Sequence, residues 1–172
     1  MPTTETPRIY VACLASYNSG ILHGEWIDAT DADGIHEGIE AMLQASPVPD
    51  AEEWAIHDHE GFCGLHVSEW EDLDALAELG TLIEQHGEAF AAYVDHQGRD
   101  FATVESFEEH YRGEWESEQA YAEELFDELY LHGVPEHVRY YIDYEKFARD
   151  LFINDMYSAE ATSGRVHVFD RH

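Results

Sequence analysis

The sequence predicts an α+β fold, an elongated chain of three small domains: an N-terminal antiparallel sheet with a helix, a central helical domain, and C-terminal helices with a small sheet. Three observations carry this prediction. Alternating apolar runs flank turn residues near the N-terminus. Apolar stripes at helical spacing follow one another from Ser68 onward. Glycine and turn signals interrupt the pattern near residues 61 and 103, which sets the domains at 1–61, 62–103 and 104–172.

Taken in order, Arg8 to Ser16 alternates as a strand. Tyr17-Asn18-Ser19-Gly20 is turn chemistry, and Ile21 to Ala29 reads as the second strand of a hairpin. Thr30 or Asp31 can cap a helix reaching about Gln44, with Ile35, Ile39, Met42 and Leu43 on one face. Ser46-Pro47-Val48-Pro49-Asp50 ends it, and Glu53 to Glu60 is a third strand with Trp54 and Ile56 inward.

Ser68 and Glu71 match a capping box ahead of the stripe Trp70, Leu73, Leu76 and Ala77. Gly80 and Gly87 read as interruptions, and a helix bearing Phe90, Tyr93 and Val94 stops at Gln97-Gly98. From Val104 the pattern is helix, helix, strand, helix, hairpin. Val104, Phe107 and Tyr111 line the first helix. The second, Ser117 to about His132, turns Tyr121, Ala122, Leu125, Phe126 and Leu129 inward and ends at Gly133-Val134-Pro135. Val138 to Ile142 is a candidate strand, Asp143 caps a helix carrying Tyr144, Phe147, Ala148 and Leu151, and Ser163-Gly164 turns into a terminal strand, Arg165 to Phe169.

Charge is the anomaly. The formal net charge is −30 over 172 residues, and from Ile9 to Gly98 nineteen Asp and Glu occur without one Lys or Arg. Residues 1–138 hold 32 acids against three bases, a net of −29, whereas 139–172 is close to balanced with six acids and five bases. With 44% hydrophobic and 13% aromatic residues, this is a folded acidic body and not a disordered tail. Such a surface repels nucleic acid and anionic membrane, so neither direct nucleic-acid binding nor membrane association is expected. No apolar run approaches a membrane span and the N-terminus lacks signal-peptide features, so a cytoplasmic location is expected. Cys13 and Cys63 lie apart and outside any CxxC pattern, as reduced, partly buried thiols would.

The acids oppose helix stability. Glu123/Asp127, Glu124/Glu128 and Asp74/Glu78 are like-charge i,i+4 pairs, each worth about 0.2–0.5 kcal/mol of destabilisation. Function, not folding, accounts for them. B-DNA carries one charge per about 1.7 Å of axis, so thirty charges correspond to roughly 50 Å of duplex. A symmetric dimer would double that length and suit a target that reads two half-sites.

The sequence resembles the ArdA antirestriction proteins, which plasmids, conjugative elements and phages carry against Type I restriction–modification enzymes. The resembling segments, in order, are RIYVACLASYNSGILHGEWIDA (8–29), EEWAIHDHEGF (52–62), FEEHYRGEWESEQAYAEEL (107–125), YIDYEKFARDLFIND (141–155) and VHVF (166–169). Residues 72–97 match in character only, and the family's short antirestriction motif falls within about 118–131. The resemblance implies three small domains in a line and a homodimer that mimics bent B-DNA. Its implied partner is the methyltransferase–specificity core of a Type I enzyme, whose DNA groove it would occupy. No catalytic residue, metal or cofactor is implied.

The residues expected to stand for phosphates are the outward acids of the helices. In the middle these are Glu69, Glu71, Asp72, Asp74, Glu78, Glu84 and Glu88. Beyond them come Glu105, Glu108, Glu109, Glu114, Glu116, Glu118, Glu123, Glu124, Asp127 and Glu128. Phe107, Tyr111, Phe126 and Tyr130 are core candidates first and a possible dimer contact second. Arg139, Lys146 and Arg149 are expected to pair with nearby acids. Three other readings stand beside this one: a mimic aimed at another DNA-binding defence or nucleoid protein, a metal-binding enzyme using His57 and His59 at i,i+2 spacing, and an ordinary acidic protein of a salt-loving cell.

Overall fold

In the computed structural model, which describes residues 5–171, the first sheet forms as the N-terminal alternation requires. Strands β1 (Arg8–Cys13), β2 (Gly24–Asp28) and β3 (Trp54–Glu60) pair antiparallel in the order β2-β1-β3. Arg8 sits opposite Asp28 and Tyr10 opposite Trp26. The first strand is shorter than expected, because the chain turns at once into a short helix, α1 (Leu14–Asn18). Gly20, at φ +78, then closes the turn toward β2 with its N–H on the Tyr17 carbonyl. On the other edge, the β1–β3 register shifts between Tyr10 and Val11, which leaves His57 without a cross-strand partner. Ala55 and Ile56, opposite Ala12 and Val11, are both buried, while Trp54 is half-buried.

Helix α2 (Ala32–Gln44) starts where the capping signal places it, with the Asp31 carboxylate accepting from the Asp33 N–H. It buries Ile35, Ile39 and Met42. Ser68 and Glu71 do not cap the next helix. The Asp72 carboxylate accepts from Ala75 N–H and starts α3 (Leu73–His86), while Glu71 turns back to Ser68. Trp70 accordingly precedes the helix and lies exposed.

Gly80 does not interrupt α3; it is packed inside it. A Cβ there would lie 2.0 Å from the Ala29 carbonyl oxygen. Only a glycine lets the helix backbone approach the end of β2 this closely. Thr81 Oγ1 donates to the Thr30 carbonyl at 2.8 Å beside it. Gly87, at φ +74, does end α3, and α4 (Glu88–Gln97) follows, burying Phe90, Tyr93 and Val94.

Residue contacts gather the chain into two compact units, 1–99 and 100–172. The expected cut near 61 lies within the first. The core of that unit is Ile9, Val11, Ile35, Met42, Leu76, Ile83, Phe90 and Tyr93, all essentially without solvent contact. Each such side chain contributes about 1.5–3 kcal/mol.

The second unit opens with α5 (Val104–His110), capped by Thr103. Where one acidic helix after another is expected, a strand intervenes: β4 (Tyr111–Trp115). It pairs with β6 (Val166–Asp170), which also pairs with β5 (Met156–Glu160), in the order β4-β6-β5. Helix α6 (Glu118–Leu129), capped by Ser117, and α7 (Tyr144–Asn154), capped by Asp143, are as expected apart from an earlier end to α6. The expected strand 138–142 is instead a 3-10 turn, Glu136–Tyr141, preceded by another at Leu131–Gly133. Among the described residues no sheet edge reaches it. Its N–H groups close short turns, Val138 onto Pro135 and Ile142 onto Arg139. The core of this unit joins Tyr121, Phe152, Met156 and Val168.

Candidate functional site

The acids lie on well-defined elements of both units. In the first, Glu69, Asp72, Asp74, Glu78 and Glu84 are exposed, most of them on α3. Two acids differ. Glu88, in the first turn of α4, is half-buried. Glu71 is enclosed, its side chain only 12% exposed, and Arg99 Nη1 donates to both its carboxylate oxygens at 3.0 Å. Glu71 therefore holds the chain together more than it faces a partner. Asp72 caps α3, and Asp74 stands 3.6 Å from His36 Nε2.

In the second unit Glu105, Glu108, Glu109, Glu114, Glu116, Glu118, Glu124, Asp127 and Glu128 are exposed and Glu123 is half-buried. Several are held in place by neutral donors. Ser163 donates to Glu114 and Ser158 to Glu118, each at 2.6 Å. Gln119 donates to Glu123 at 3.0 Å. Such bonds fix a carboxylate while leaving its charge uncompensated.

Arginine ion pairs go elsewhere. Arg8 meets Glu60, Arg112 meets Asp170, and Arg149 lies 3.9 Å from Asp150. Of the three cations expected to pair with acids, Arg149 does so, Arg139 donates to the Val134 carbonyl and serves the 3-10 segment, and Lys146 makes no ion pair among the described residues. The exposed acids of α3, α5 and α6 stand outside the arginine pairs, so the field above them is uncompensated.

The four aromatic residues divide. Phe107 is buried and stacks on Tyr111 at 4.9 Å; Tyr111 shares a 2.9 Å hydrogen bond with His167. Both belong to the packing of β4 and β6. Phe126 and Tyr130 contact each other and Phe147 at the end of α6, where Tyr130 is exposed. The 3-10 turn that follows, Glu136–Tyr141, holds Tyr140 at 89% and Tyr141 at 78% exposed.

His57 packs edge-on against Tyr17, and His59 against Phe62. With His66 and Glu69 they line an open cleft beside β3. Among the described residues no group of three or more His, Cys, Asp or Glu is arranged to hold a metal ion. Both cysteines are free thiols, Cys13 buried and Cys63, against expectation, exposed. Burial pushes the Cys13 thiol up, but hydrogen bonds from Ser16, Ser46 and nearby backbone outweigh it and leave it below the usual value. Partial burial of its sulfur, then the Glu88 carboxylate, push Cys63 above it.

The family model of the antirestriction protein ArdA matches residues 9–164, nearly the whole chain. The chain belongs to the ArdA family. No curated protein matches it. The ArdA match spans both compact units and includes every acid expected to stand for a phosphate. As a member of ArdA the chain falls among antirestriction proteins, and the acids of α3, α5 and α6 are the feature of its surface that such a role must explain. No helix among the described residues is long and apolar enough to cross a membrane.

Proposed function

We propose that the chain is a DNA mimic without a chemical step of its own, which occupies the DNA-binding groove of Type I restriction–modification enzymes in the cytoplasm. One observation carries the reading: exposed carboxylates recur along α3, α5 and α6 outside the arginine pairs, and two of those on α6, Glu118 and Asp127, accept hydrogen bonds from neutral donors. A groove lined with Lys and Arg for phosphates attracts such an array by the same Coulomb terms. Carboxylates fixed on helices also lose little freedom on docking. Because the array presents no base edges, inhibition should be indifferent to the enzyme's recognition sequence.

The acting form is proposed to be a homodimer. Its contact is placed at the exposed aromatic stretch of the second unit, where Leu129, Tyr130, Val138, Tyr140 and Tyr141 lie exposed. That stretch carries fewer acids than the surfaces around it, so two copies can meet there with less repulsion.

The test is a competition titration of a methyltransferase–specificity core and labelled DNA against this protein at several salt concentrations. Displacement of DNA that weakens steeply as salt rises is expected. Failure to displace DNA at low salt would sink the proposal.

A further inference from the structure

Trp70 is the most exposed of the four tryptophans, at 63% against 38% for Trp26, with Trp54 and Trp115 half-buried. Leaving an indole in water forgoes the burial that usually retains this residue. Its surroundings are nevertheless rigid. Ile56 N–H donates to the Glu69 carbonyl at 3.1 Å, which lays the segment along the edge of β3. Ser68 Oγ donates to the Trp70 carbonyl at 3.1 Å, and Ser68 N–H to Glu71 at 2.9 Å. Arg99 locks Glu71 from the other side. The indole itself leans on Trp54, with ring centroids 6.2 Å apart. An exposed aromatic on an immobilised segment is a preorganised contact.

The charges around it say what it fits. Glu69 and Asp72 flank it and are exposed, as are Glu52 and Glu53 beside Trp54. Arg99, which reaches the neighbouring residue, is neutralised by Glu71. A second copy of this chain or an anionic membrane would be repelled here. The complementary surface has cations around a slot that accepts a flat ring. Protein clefts that hold a nucleotide out of its stack have that composition: basic residues on the phosphates, apolar or aromatic walls on the base.

We propose that Trp70 is a base surrogate: its indole enters the base-holding slot of the target's DNA cleft while Glu69 and Asp72 take flanking phosphate positions. This rests on the DNA-mimic reading above and adds a single point of high affinity to a distributed field.

The experiment compares wild type, W70A and W70F in the same titration against the methyltransferase–specificity core, across salt concentrations, with thermal unfolding and sedimentation as controls. The expected result is a weakening of about 30-fold for W70A, with the dependence of log affinity on log salt unchanged, since no charge is lost. W70F should keep part of the affinity. If wild type does not displace DNA, the mimic reading itself fails. If wild type competes and W70A equals it, the inference is overturned and the mimic reading survives. A flatter salt dependence, a changed oligomeric state, or a W70F as poor as W70A with lowered unfolding temperature in both would also overturn it, because the effect would then be electrostatic, assembly-linked or structural.

Discussion

The Tyr144 hydroxyl donates to Asp127 Oδ1 across 2.6 Å, joining the start of α7 to the acidic face of α6. That bond, then slight burial and the charges of Asp127 and Glu123, raise the Tyr144 phenol above its usual value against the opposing Arg139. Burial, with Asp170 and Glu128, raises Tyr121 likewise, against Arg112. A raised phenol favours the protonated folded form. Its stabilisation is complete below the ordinary value of 10.0 and is lost as pH climbs through the higher folded value. Urea unfolding followed against pH should show stability falling above that point, and Y144F should remove the Tyr144 share of the fall.

The helix α6 should become more stable when its acidity is reduced. Glu124 and Glu128 are both exposed one turn apart, near the helix C-terminus. E128K replaces repulsion with attraction and places a cation on the favourable end of the helix dipole. The expected gain is about 0.5–1 kcal/mol in thermal unfolding. The same variant should inhibit slightly less well in the DNA competition. Single neutralisations such as E124Q should hardly register there, whereas neutralising the exposed acids of α5 and α6 together should weaken inhibition by orders of magnitude and flatten its salt dependence.

G80A should reverse the usual rule for helices. Alanine normally exceeds glycine within a helix by about 0.5–1 kcal/mol. Here the added methyl meets the Ala29 carbonyl, and backbone must move. A net loss of about 1–3 kcal/mol is expected in urea unfolding.

Replacing Tyr140 and Tyr141 with Glu should dissociate the proposed dimer, as read by analytical ultracentrifugation, while leaving circular dichroism unchanged because both rings lie outside the core. A variant pair that remains dimeric would move the contact elsewhere.

Legibility in the sequence followed local chemistry. Asp31, Ser117 and Asp143 announce their helices because a cap acts within four residues. Tertiary demands hid the rest. Tyr111, Gly113 and Trp115 do alternate as half-buried strand residues, yet the surrounding Glu-rich sequence reads as helix continued, and the partner strand lies fifty residues on. The β-branched and aromatic run 138–142 has strand propensity without a neighbour to pair with. Gly80 looked like punctuation because the carbonyl it accommodates belongs to another element. Among the acids, sequence could name the charges but not separate Glu71, whose counterion sits twenty-eight residues away.

The final strand, β6, lies between β4 and β5. Proteolytic nicking in the 161–165 connection, followed by loss of β6, would therefore strip both neighbours at once. Two further bare edges would be left beside the outer edges that β4 and β5 already present, each a template for edge-to-edge pairing.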